Sequence, residues 1–308
     1  MNSGKAHAPV LLFAYKRLGT LKRTVSALQN NLLAAESDLF IFSDQGKTPE
    51  DRTVVREVRE YLHTITGFRI IRVFEAEKNK GLANSIISGV SHVIDQYGKV
   101  IVVEDDILTT PNFLSYMNEA LDRYENTKKV FSISGYSFNL GEKKPLGYSC
   151  DTYFTNRGWP WGWATWRNRW EGIDWQMKDY PQFVNDALAR REFAKGGSDL
   201  NAMLRKQMTG RLDSWAIRWY YHQFRAKGLT LYPIYSKVYN DGWDEYATHT
   251  SGANGRYYPL LDEEHSNAFA FPEQAEIHPY YQKKFNDKLG IRARIISRSQ
   301  SLLQKILK

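Results

Sequence analysis

The sequence has a single cysteine, Cys150, among its 308 residues. An intramolecular disulfide is therefore excluded, and a reducing compartment suits the chain. No apolar run approaches the roughly 20 residues that a membrane-spanning helix requires. The short apolar stretch at residues 9–15 runs directly into Lys16 and Arg17, with no small-residue cleavage site behind it, so it does not match a secretion signal. We expect a cytoplasmic protein.

Glycine-rich phosphate loops are missing at the point where a nucleotide-binding fold would often carry one. Residues 14–20 follow the first predicted strand and contain neither the G-x-G-x-x-G pattern nor the lysine-bearing P-loop pattern. This disfavours dinucleotide-dependent oxidoreductases and P-loop enzymes.

Acidic residues are scarce in the C-terminal tail. From Pro279 onward eight lysines and arginines accompany one acidic residue, Asp287, so the tail holds +7 of the net charge of +8. The nearly neutral remainder argues against a nucleic-acid-binding body. Apolar residues recur among these cations at roughly helical spacing, at Ile295, Leu302, Leu303, Ile306 and Leu307. The pattern predicts a basic amphipathic helix on an anionic membrane surface. The alternative is a loose or internally packed terminal helix with a solvated basic face.

Strand-like and helix-like segments alternate through the first half of the chain. Strands are predicted at residues 9–15, 38–43, 68–74, 130–134 and from 100 to the carboxylates at 104–106. Helices are predicted at residues 18–31, 50–65, 81–96 and 111–124. Such alternation is typical of an α/β protein with a doubly wound, mostly parallel sheet.

The second half changes character, because six tryptophans lie between Trp159 and Trp175. This segment is more typical of a folded lid or an acceptor floor than of another βαβ unit. Aromatic faces offer apolar area with defined geometry for sugar stacking, and the candidates are Trp161, Trp163, Trp166 and, further on, Trp215. The structural alternative is that part of the cluster is core.

An acidic run ends the most apolar strand. The run from Val100 to Val103 reads as a strand buried on both faces, and Glu104, Asp105 and Asp106 follow it directly. Open α/β sheets bind ligands outside the carboxyl ends of their strands. Adjacent carboxylates repel one another unless a cation lies among them, and Mg²⁺ or Mn²⁺ binds through one or two carboxylates together with substrate phosphates. The sequence therefore predicts a metal-diphosphate site.

Asp44 ends the second predicted strand in the same manner. At that edge of the sheet it is placed to accept hydrogen bonds from a base or a ribose. A turn or a helix cap would use an aspartate equally well.

Together these residues resemble the glycosyltransferases of the GT-A fold, which transfer a sugar from a nucleotide-sugar donor. The resemblance covers residues 9–255 and is carried, in order, by Tyr15-Lys16-Arg17, Ser43-Asp44, Asn79-Lys80-Gly81-Leu82-Ala83 and Glu104-Asp105-Asp106. It implies a GT-A (Rossmann-like) domain at residues 1–255, with a donor half at about 8–140 and an acceptor half at about 141–255. A C-terminal extension at 256–308, with the basic helical tail, would follow.

More narrowly, the chain is similar to the family of the Golgi N-acetylglucosaminyltransferase that initiates complex N-glycans. The similar segments are residues 102–107, 111–113, 130–137, 157–163 and 212–215. The transmembrane anchor of that protein has no counterpart in this sequence. We therefore expect a bacterial cytoplasmic relative, associated at most peripherally with the inner face of the membrane.

The resemblance implies a role for each matching residue of the donor site. Asp106 would be the direct ligand of Mn²⁺ or Mg²⁺, while Glu104 and Asp105 would face the donor sugar and the ribose. Arg17 would contact the nucleotide and Asp44 the base, which suggests a uridine donor. Asn79 and Gly81 would complete the donor-binding residues.

The resemblance also implies a catalytic base, Asp213, in a partly desolvated pocket beside Trp215, for a single displacement that inverts the anomeric centre. Leu212 departs from the aromatic residue that the family has before this base, which concerns acceptor contacts most. In the polar stretch at residues 240–252, His249 is a candidate metal or phosphate ligand on a closing loop. Asp241 and Asp244 are the reserve candidates for the base.

Two other functions share some of these features. A sugar nucleotidyltransferase has similar metal chemistry but would be expected to carry a glycine-rich loop after the first strand. A noncatalytic scaffold subunit that binds nucleotide sugars would not need Asp213. We expect a transferase that acts on a glycan or lipid-linked acceptor in cell-surface polysaccharide or glycoprotein synthesis.

Overall fold

A computed structural model describes residues 6–242, 254–296 and 299 of the chain. The strands are β1 (Val10–Ala14), β2 (Asp38–Ser43), β3 (Ile70–Glu75), β4 (Lys99–Glu104), β5 (Ile107–Thr109), β6 (Val130–Ser134), β7 (Thr152–Thr155), β8 (Trp163–Trp166), β9 (Leu229–Pro233) and β10 (Val238–Asn240). The helices are α1 (Leu18–Gln29), α2 (Pro49–Leu62), α3 (Leu82–Tyr97), α4 (Phe113–Tyr124), α5 (Arg167–Trp170), α6 (Tyr180–Asn185), α7 (Ala187–Phe193), α8 (Leu200–Met208), α9 (Trp215–Arg225) and α10 (Pro279–Leu289). The alternation that the sequence predicts up to β6 is confirmed.

Local signals explain where the helices near the pocket begin and end. Helix α2 starts with a hydrogen bond from the backbone N–H of Asp51 to the side chain of Thr48, and Pro49 occupies its first turn. Helix α3 lies between Gly81 and Gly98, whose φ angles are 75° and 76°. Only glycine adopts this left-handed region without strain, so both ends of α3 are set by glycine.

Eight strands form one sheet in the order β3-β2-β1-β4-β8-β6-β9-β7. Parallel pairing joins β3 to β2, β2 to β1, β1 to β4 and β6 to β9. Strand β8 runs antiparallel to β4 and β6, and β7 runs antiparallel to β9. The prediction of an α/β fold with a mostly parallel sheet is confirmed. The antiparallel strands β7 and β8 were not predicted.

The tryptophan-rich segment differs from its prediction as a lid or floor, because residues 163–166 form β8 in the middle of the sheet. Side chains alternate along a strand, so Trp163 packs into the core beneath one face and Trp166 into the core on the other. Burial on both faces is what makes this aromatic segment a strand.

Two hydrophobic cores flank the sheet. One lies between the sheet and helices α1, α2, α4 and α10, and the other between the sheet and helices α3, α8 and α9. This three-layer arrangement is the one expected when crossover helices cover both faces of a parallel sheet. Both cores end at the carboxyl edge of β1, β2 and β4, where polar residues begin.

The C-terminal extension is partly integrated into this architecture. Tyr281, Phe285 and Leu289 of α10 are buried in the first core, and Ile277 forms an isolated parallel bridge to Phe154 of β7. The boundary at residue 255 therefore does not coincide with a break in packing. Residues 291–296 are helical. The apolar positions from Leu302 onward lie outside the described residues, and no helix within the described part of the chain is long and apolar enough to cross a membrane.

A small antiparallel ribbon stands beside the acidic run. It pairs β5 with β10, with Ile107 opposite Asn240. Strand β5 begins directly after Asp106, and β10 ends directly before Asp241. It thus carries a distant segment of sequence to the end of β4.

Candidate active site

A pocket of about 290 Å³ opens at the carboxyl ends of β1, β2 and β4. The strand order reverses between β1 and β4, and such switch points are where open α/β sheets bind ligands. Its lining residues are Phe13, Ala14, Tyr15, Arg17, Phe42, Asp44, Lys47, Asn79, Gly81, Leu82, Ser85, Glu104, Asp105, Asp106, Trp161 and Asn240. The pocket thus collects all the donor-site residues that the sequence predicts.

Residues just after β1 form hydrogen bonds with the acidic run at the end of β4. The backbone N–H of Tyr15 donates to Asp105 Oδ2 across 3.1 Å. Arg17 Nη1 donates to Asp106 Oδ2 across 2.8 Å. These contacts follow from the parallel pairing of the two strands, in which Phe13 lies opposite Glu104. Arg17, which the resemblance assigns to the nucleotide, therefore lies beside Asp106.

Burial and mutual repulsion shift the acidity of these carboxyl groups. Burial, followed by the charge of Asp106, raises the pKa of Asp105 to about 7. Burial, followed by the charges of Asp106 and Asp105, raises the pKa of Glu104 well above its usual range, and the charge of Arg17 opposes both shifts. A cation bound among these carboxyl groups would favour their ionised forms.

The carboxylate chemistry of Asp106 fits a hard divalent cation. Its backbone C=O accepts the N–H of Asp241 across 2.8 Å. A Cβ atom on Gly242 would stand 2.1 Å from Asp106 Oδ2, so the main chain passes directly beside the carboxylate. Among the described residues no group of three or more His, Cys, Asp or Glu side chains could hold a metal. A cation held by one or two carboxylates and completed by diphosphate oxygens needs no such protein cage.

Asp44, which the resemblance assigns to the base, makes hydrogen bonds within the chain. It is buried, with its side chain at the end of β2, and its carboxylate accepts hydrogen bonds from the backbone N–H groups of Gln45, Lys80 and Gly81. It also accepts one from the side-chain amide of Asn79 across 3.2 Å. In this structure Asp44 therefore binds the segment that leads into α3.

A family model, Glycosyl transferase family 2, matches residues 10–182, which is more than half of the chain. The chain belongs to this family. The matched region contains every residue that lines the pocket except Asn240. The acidic run and the residues that hold it therefore lie within the part of the chain that defines family 2 membership.

Three solved structures that align with part of this family 2 chain share little sequence with it. A mannosyltransferase from Pyrobaculum calidifontis, in complex with GDP-Man and Mn²⁺, is 12% identical, with a TM-score of 0.37 and coverage of 54% of this chain and 46% of that chain. S. aureus TarS 1–349 is 9% identical, with a TM-score of 0.42 and coverage of 77% and 61%. Glucosyl-3-phosphoglycerate synthase from Mycobacterium tuberculosis, with Mn²⁺, UDP and glucosyl-3-phosphoglycerate, is 11% identical, with a TM-score of 0.29 and coverage of 42% and 43%. The chain thus spans less than two thirds of each. No curated protein sequence matches the chain.

The four predicted stacking tryptophans divide into two groups in the family 2 structure. Trp161 lines the pocket and meets Tyr136 edge to face at 4.8 Å. Trp163, Trp166 and Trp215 are only 1%, 2% and 3% exposed. Trp163 stacks on Trp215 at 4.9 Å, and Trp166 Nε1 donates to the backbone C=O of Leu121. Sugar stacking on these three rings does not agree with their burial, and the structure gives them a role in the core.

The predicted base lies on the surface and does not line the pocket. The side chain of Asp213 is 65% exposed and pairs with Arg218 Nη2 across 2.9 Å, just before α9. The expected desolvation beside Trp215 is therefore absent, because Trp215 turns into the core while Asp213 faces solvent. Of the reserve candidates, Asp241 pairs with Arg23 across 2.6 Å. Asp244 and the candidate ligand His249 lie outside the described residues.

Several lining residues were not predicted from the sequence. Phe13 and Phe42 are opposite one another in the β1–β2 register and stack at 5.1 Å, giving the pocket an apolar wall. Each is the penultimate residue of its strand. Two aromatic residues at equivalent positions of neighbouring strands are a signal that the sequence contains. Lys47 had no such signal, and Asn240 is the first residue of the polar stretch at residues 240–252.

Proposed function

We propose that this family 2 chain transfers a sugar from a nucleotide-sugar donor to a hydroxyl group of an acceptor. The observation that carries the proposal is the acidic run at the end of β4, which faces Arg17 in the pocket at the switch point of the sheet. Family membership gives the reaction class. The pocket contains the guanidinium of Arg17, carboxylates that could bind a metal ion together with a donor diphosphate, and an apolar wall.

Four residues would bind the donor and its metal ion. Asp106 would hold Mn²⁺ or Mg²⁺, which when bound neutralises charge on the departing diphosphate. Glu104 and Asp105 would face the donor sugar and the ribose. Arg17 would bind phosphate oxygens, and a guanidinium is well suited to this because its donors form a rigid fork. We propose a uridine diphosphate sugar as the donor, on the basis of the sequence resemblance.

Asp213 is the proposed general base. The acceptor hydroxyl oxygen would bond to the anomeric carbon while the bond from that carbon to the diphosphate oxygen breaks, and Asp213 would take the hydroxyl proton. One displacement of this kind inverts the anomeric centre. The exposure of Asp213 leaves its carboxylate accessible to a bulky acceptor. Trp161, at the pocket, is the aromatic face proposed for sugar stacking.

The acceptor is proposed to be a glycan, as in the Golgi family that the motifs resemble, or a lipid-linked saccharide. Support for a membrane-bound acceptor comes from the tail. Ile291, Ile295 and Ile296 are 66%, 58% and 52% exposed, and basic residues lie among them. Apolar side chains next to lysines and arginines suit an anionic lipid surface.

Calorimetric titration with UDP, GDP, CDP and dTDP, each with Mn²⁺ and then with excess chelator, tests the donor site. We expect metal-dependent binding with UDP tightest. Tightest binding of another nucleotide would agree with the proposed transferase activity but contradict the proposed uridine diphosphate sugar. Absence of binding by all four would refute the donor site.

Sedimentation with vesicles tests the tail separately. We expect the chain to bind vesicles containing phosphatidylserine and not pure phosphatidylcholine vesicles. The double variant Ile291→Asp and Ile295→Asp should lose this binding. Leu188→Asp, which alters a side chain that is 73% exposed elsewhere on the surface, should not. Equal binding by both variants would refute the membrane contact.

A further inference from the structure

We propose that residues 140–148, here called the tip loop, are a second membrane contact of this chain, in which Leu146 enters the headgroup region of an anionic bilayer beside a basic face of α10. The inference rests on the membrane-bound acceptor of the proposed function. It adds a contact that the tail does not supply.

The tip loop presents an apolar side chain to solvent. Leu146 is fully exposed, between Pro145 and Gly147. A single exposed leucine is ordinary on a protein surface, and the neighbours are what distinguish this one. Lys143 and Lys144 are both exposed, three and two residues before it. An apolar side chain with lysines beside it suits the boundary between lipid headgroups and acyl chains.

Hydrogen bonds fasten the tip loop to α10. Tyr280 Oη donates to the backbone C=O of Lys143 across 3.1 Å. Lys284 Nζ donates to the backbone C=O of Leu140 across 2.7 Å. The tip loop and α10 therefore form one surface, and a bilayer that contacts one of them meets the other.

The outer face of α10 is basic. Because its apolar stripe is buried in the first core, the other positions of the helix turn outwards. They carry Lys283, Lys284 and Lys288 with one acidic residue, Asp287. Burial, followed by the charge of Lys284, lowers the pKa of Lys288. An anionic surface would offset the repulsion between these like charges.

Apolar side chains stand at both ends of this basic face. The tip loop contacts the first turn of α10, through Tyr280. The exposed Ile291 and Ile295 follow its last residue, Leu289. A helix of 11 residues is about 16 Å long. A bilayer would thus be contacted at two separate points, which fixes the orientation of the protein as well as its attachment.

The tip loop lies at the same edge of the sheet as the donor pocket. It leads into β7, whose first residue, Thr152, is paired with Pro233, the last residue of β9. Strands β9, β6 and β4 run in one direction, because β9 is parallel to β6 and β8 is antiparallel to both β6 and β4. Four strand spacings, about 19 Å, separate β7 from β4. A bilayer at the tip loop would therefore lie near the edge that a lipid-linked acceptor has to reach.

A fluorophore at position 146 tests the contact directly. Cys150 is the single cysteine of the sequence, so Leu146→Cys combined with Cys150→Ser places one NBD label on the tip loop. Leu32→Cys in the same background is the matched control, because Leu32 is 60% exposed and follows α1, on the β1–β2 side of the sheet. With vesicles containing phosphatidylserine, we expect the emission at position 146 to shift to the blue and that at position 32 to stay unchanged. A shift of both labels or of neither would overturn the inference.

Sedimentation measures what Leu146 contributes to binding. Leu146→Asp should weaken binding to the same vesicles by about tenfold, because one leucine side chain no longer leaves water. Leu32→Asp should bind as the unaltered chain does. Undiminished binding by Leu146→Asp would overturn the inference. So would a blue shift at position 146 that appears without vesicles and grows with protein concentration, because it would indicate contact with a second copy of the chain.

Calorimetry with UDP and Mn²⁺ separates this inference from the proposed function. Leu146→Asp should bind UDP as tightly as the unaltered chain, because residue 146 does not line the pocket. If the unaltered chain binds no nucleotide, the donor site of the proposed function fails. The fluorescence and sedimentation measurements then still decide whether the tip loop contacts the membrane.

Discussion

Gly242 passes so close to Asp106 that a Cβ atom at position 242 would stand 2.1 Å from Asp106 Oδ2. The two residues are far apart in sequence and are brought together by the β5–β10 ribbon. The nearest atom belongs to the short side chain of Asp106, which Arg17 and the main chain hold in place. The site therefore requires the absence of a side chain at this position.

Gly242→Ala should displace Asp106 and weaken metal-dependent nucleotide binding by about tenfold or more, because a contact below 3 Å cannot persist. Gly172→Ala is the matched control, since a Cβ there meets nothing within 4 Å. Calorimetry with UDP and Mn²⁺ measures the loss. Equal affinities for the two variants would contradict the close approach.

The tryptophans of the 159–175 segment should respond differently to truncation. Trp163→Ala removes a side chain that is 1% exposed and should cost about 3–5 kcal/mol of unfolding free energy. Trp161→Ala should cost about 1–2 kcal/mol and weaken binding of the donor or acceptor sugar by up to about tenfold. Urea denaturation and calorimetry separate the two effects. A binding loss confined to Trp163→Ala would reverse the assignment.

Asp213→Asn should lower turnover by about 10²–10⁴-fold, the usual contribution of a general base, and leave nucleotide binding unchanged. Asp241→Asn, at the paired reserve candidate, is the comparison. Turnover is measured as release of nucleoside diphosphate with a saccharide acceptor, and binding by calorimetry. Unchanged turnover in Asp213→Asn would show that Asp213 is not the base. A loss of turnover only in Asp241→Asn would indicate that Asp241 is the base.

A buried ion pair predicts how stability depends on pH. Asp199 accepts two hydrogen bonds from Arg157, at 2.8 and 3.0 Å, and the Arg157 side chain is 5% exposed. Burial raises the pKa of Asp199, but the charge and hydrogen bonds of Arg157 outweigh it and lower that pKa. A depressed pKa means that the folded state binds fewer protons than the unfolded chain. The ion pair therefore contributes its full stabilisation above about pH 4, the ordinary aspartate pKa of the unfolded chain. This stabilisation is lost as the pH falls through the lower pKa that Asp199 has in the folded state.

Asp199→Asn should therefore cost about 3 kcal/mol or more of unfolding free energy near pH 7, and progressively less toward about pH 3. Urea denaturation at several pH values measures the difference from the unaltered protein. Glu192→Gln, which breaks the exposed pair with Lys195, should change stability by only about 0.5 kcal/mol. A cost for Asp199→Asn that does not vary with pH would contradict the ion-pair account.

Short-range patterns were enough to predict the donor half. Apart from the short strand β5, which was not predicted, the strands and helices up to Ser134 were predicted in the right order, with ends within a few residues. Arg17 and the acidic run were each predicted to belong to the donor site, and the structure pairs Arg17 with Asp106 because both follow strands that end at one edge of a parallel sheet. Each of these predictions depends on neighbours in sequence or on a general rule of sheet topology.

Long-range pairing was the part that the sequence did not reveal. Trp163 and Trp166 have the composition of a sugar-binding surface, and only their insertion between β4 and β6 shows that both rings are core. Asp44 was predicted from its place at a strand end, and only the tertiary structure shows that residues 79–81 return beside it and donate to its carboxylate. Neither contact leaves a local pattern in the chain.

The amino-acid sequence by itself determined the α/β class, the position of the acidic run at a strand end and the concentration of basic charge in the tail. These follow from apolar periodicity, from the cost of burying charge and from composition. The tertiary structure alone decided which aromatic rings face the pocket, what Asp44 holds and which backbone lies against Asp106. Those relationships join residues that are distant in sequence, and their geometry exists only once the sheet and the β5–β10 ribbon have formed.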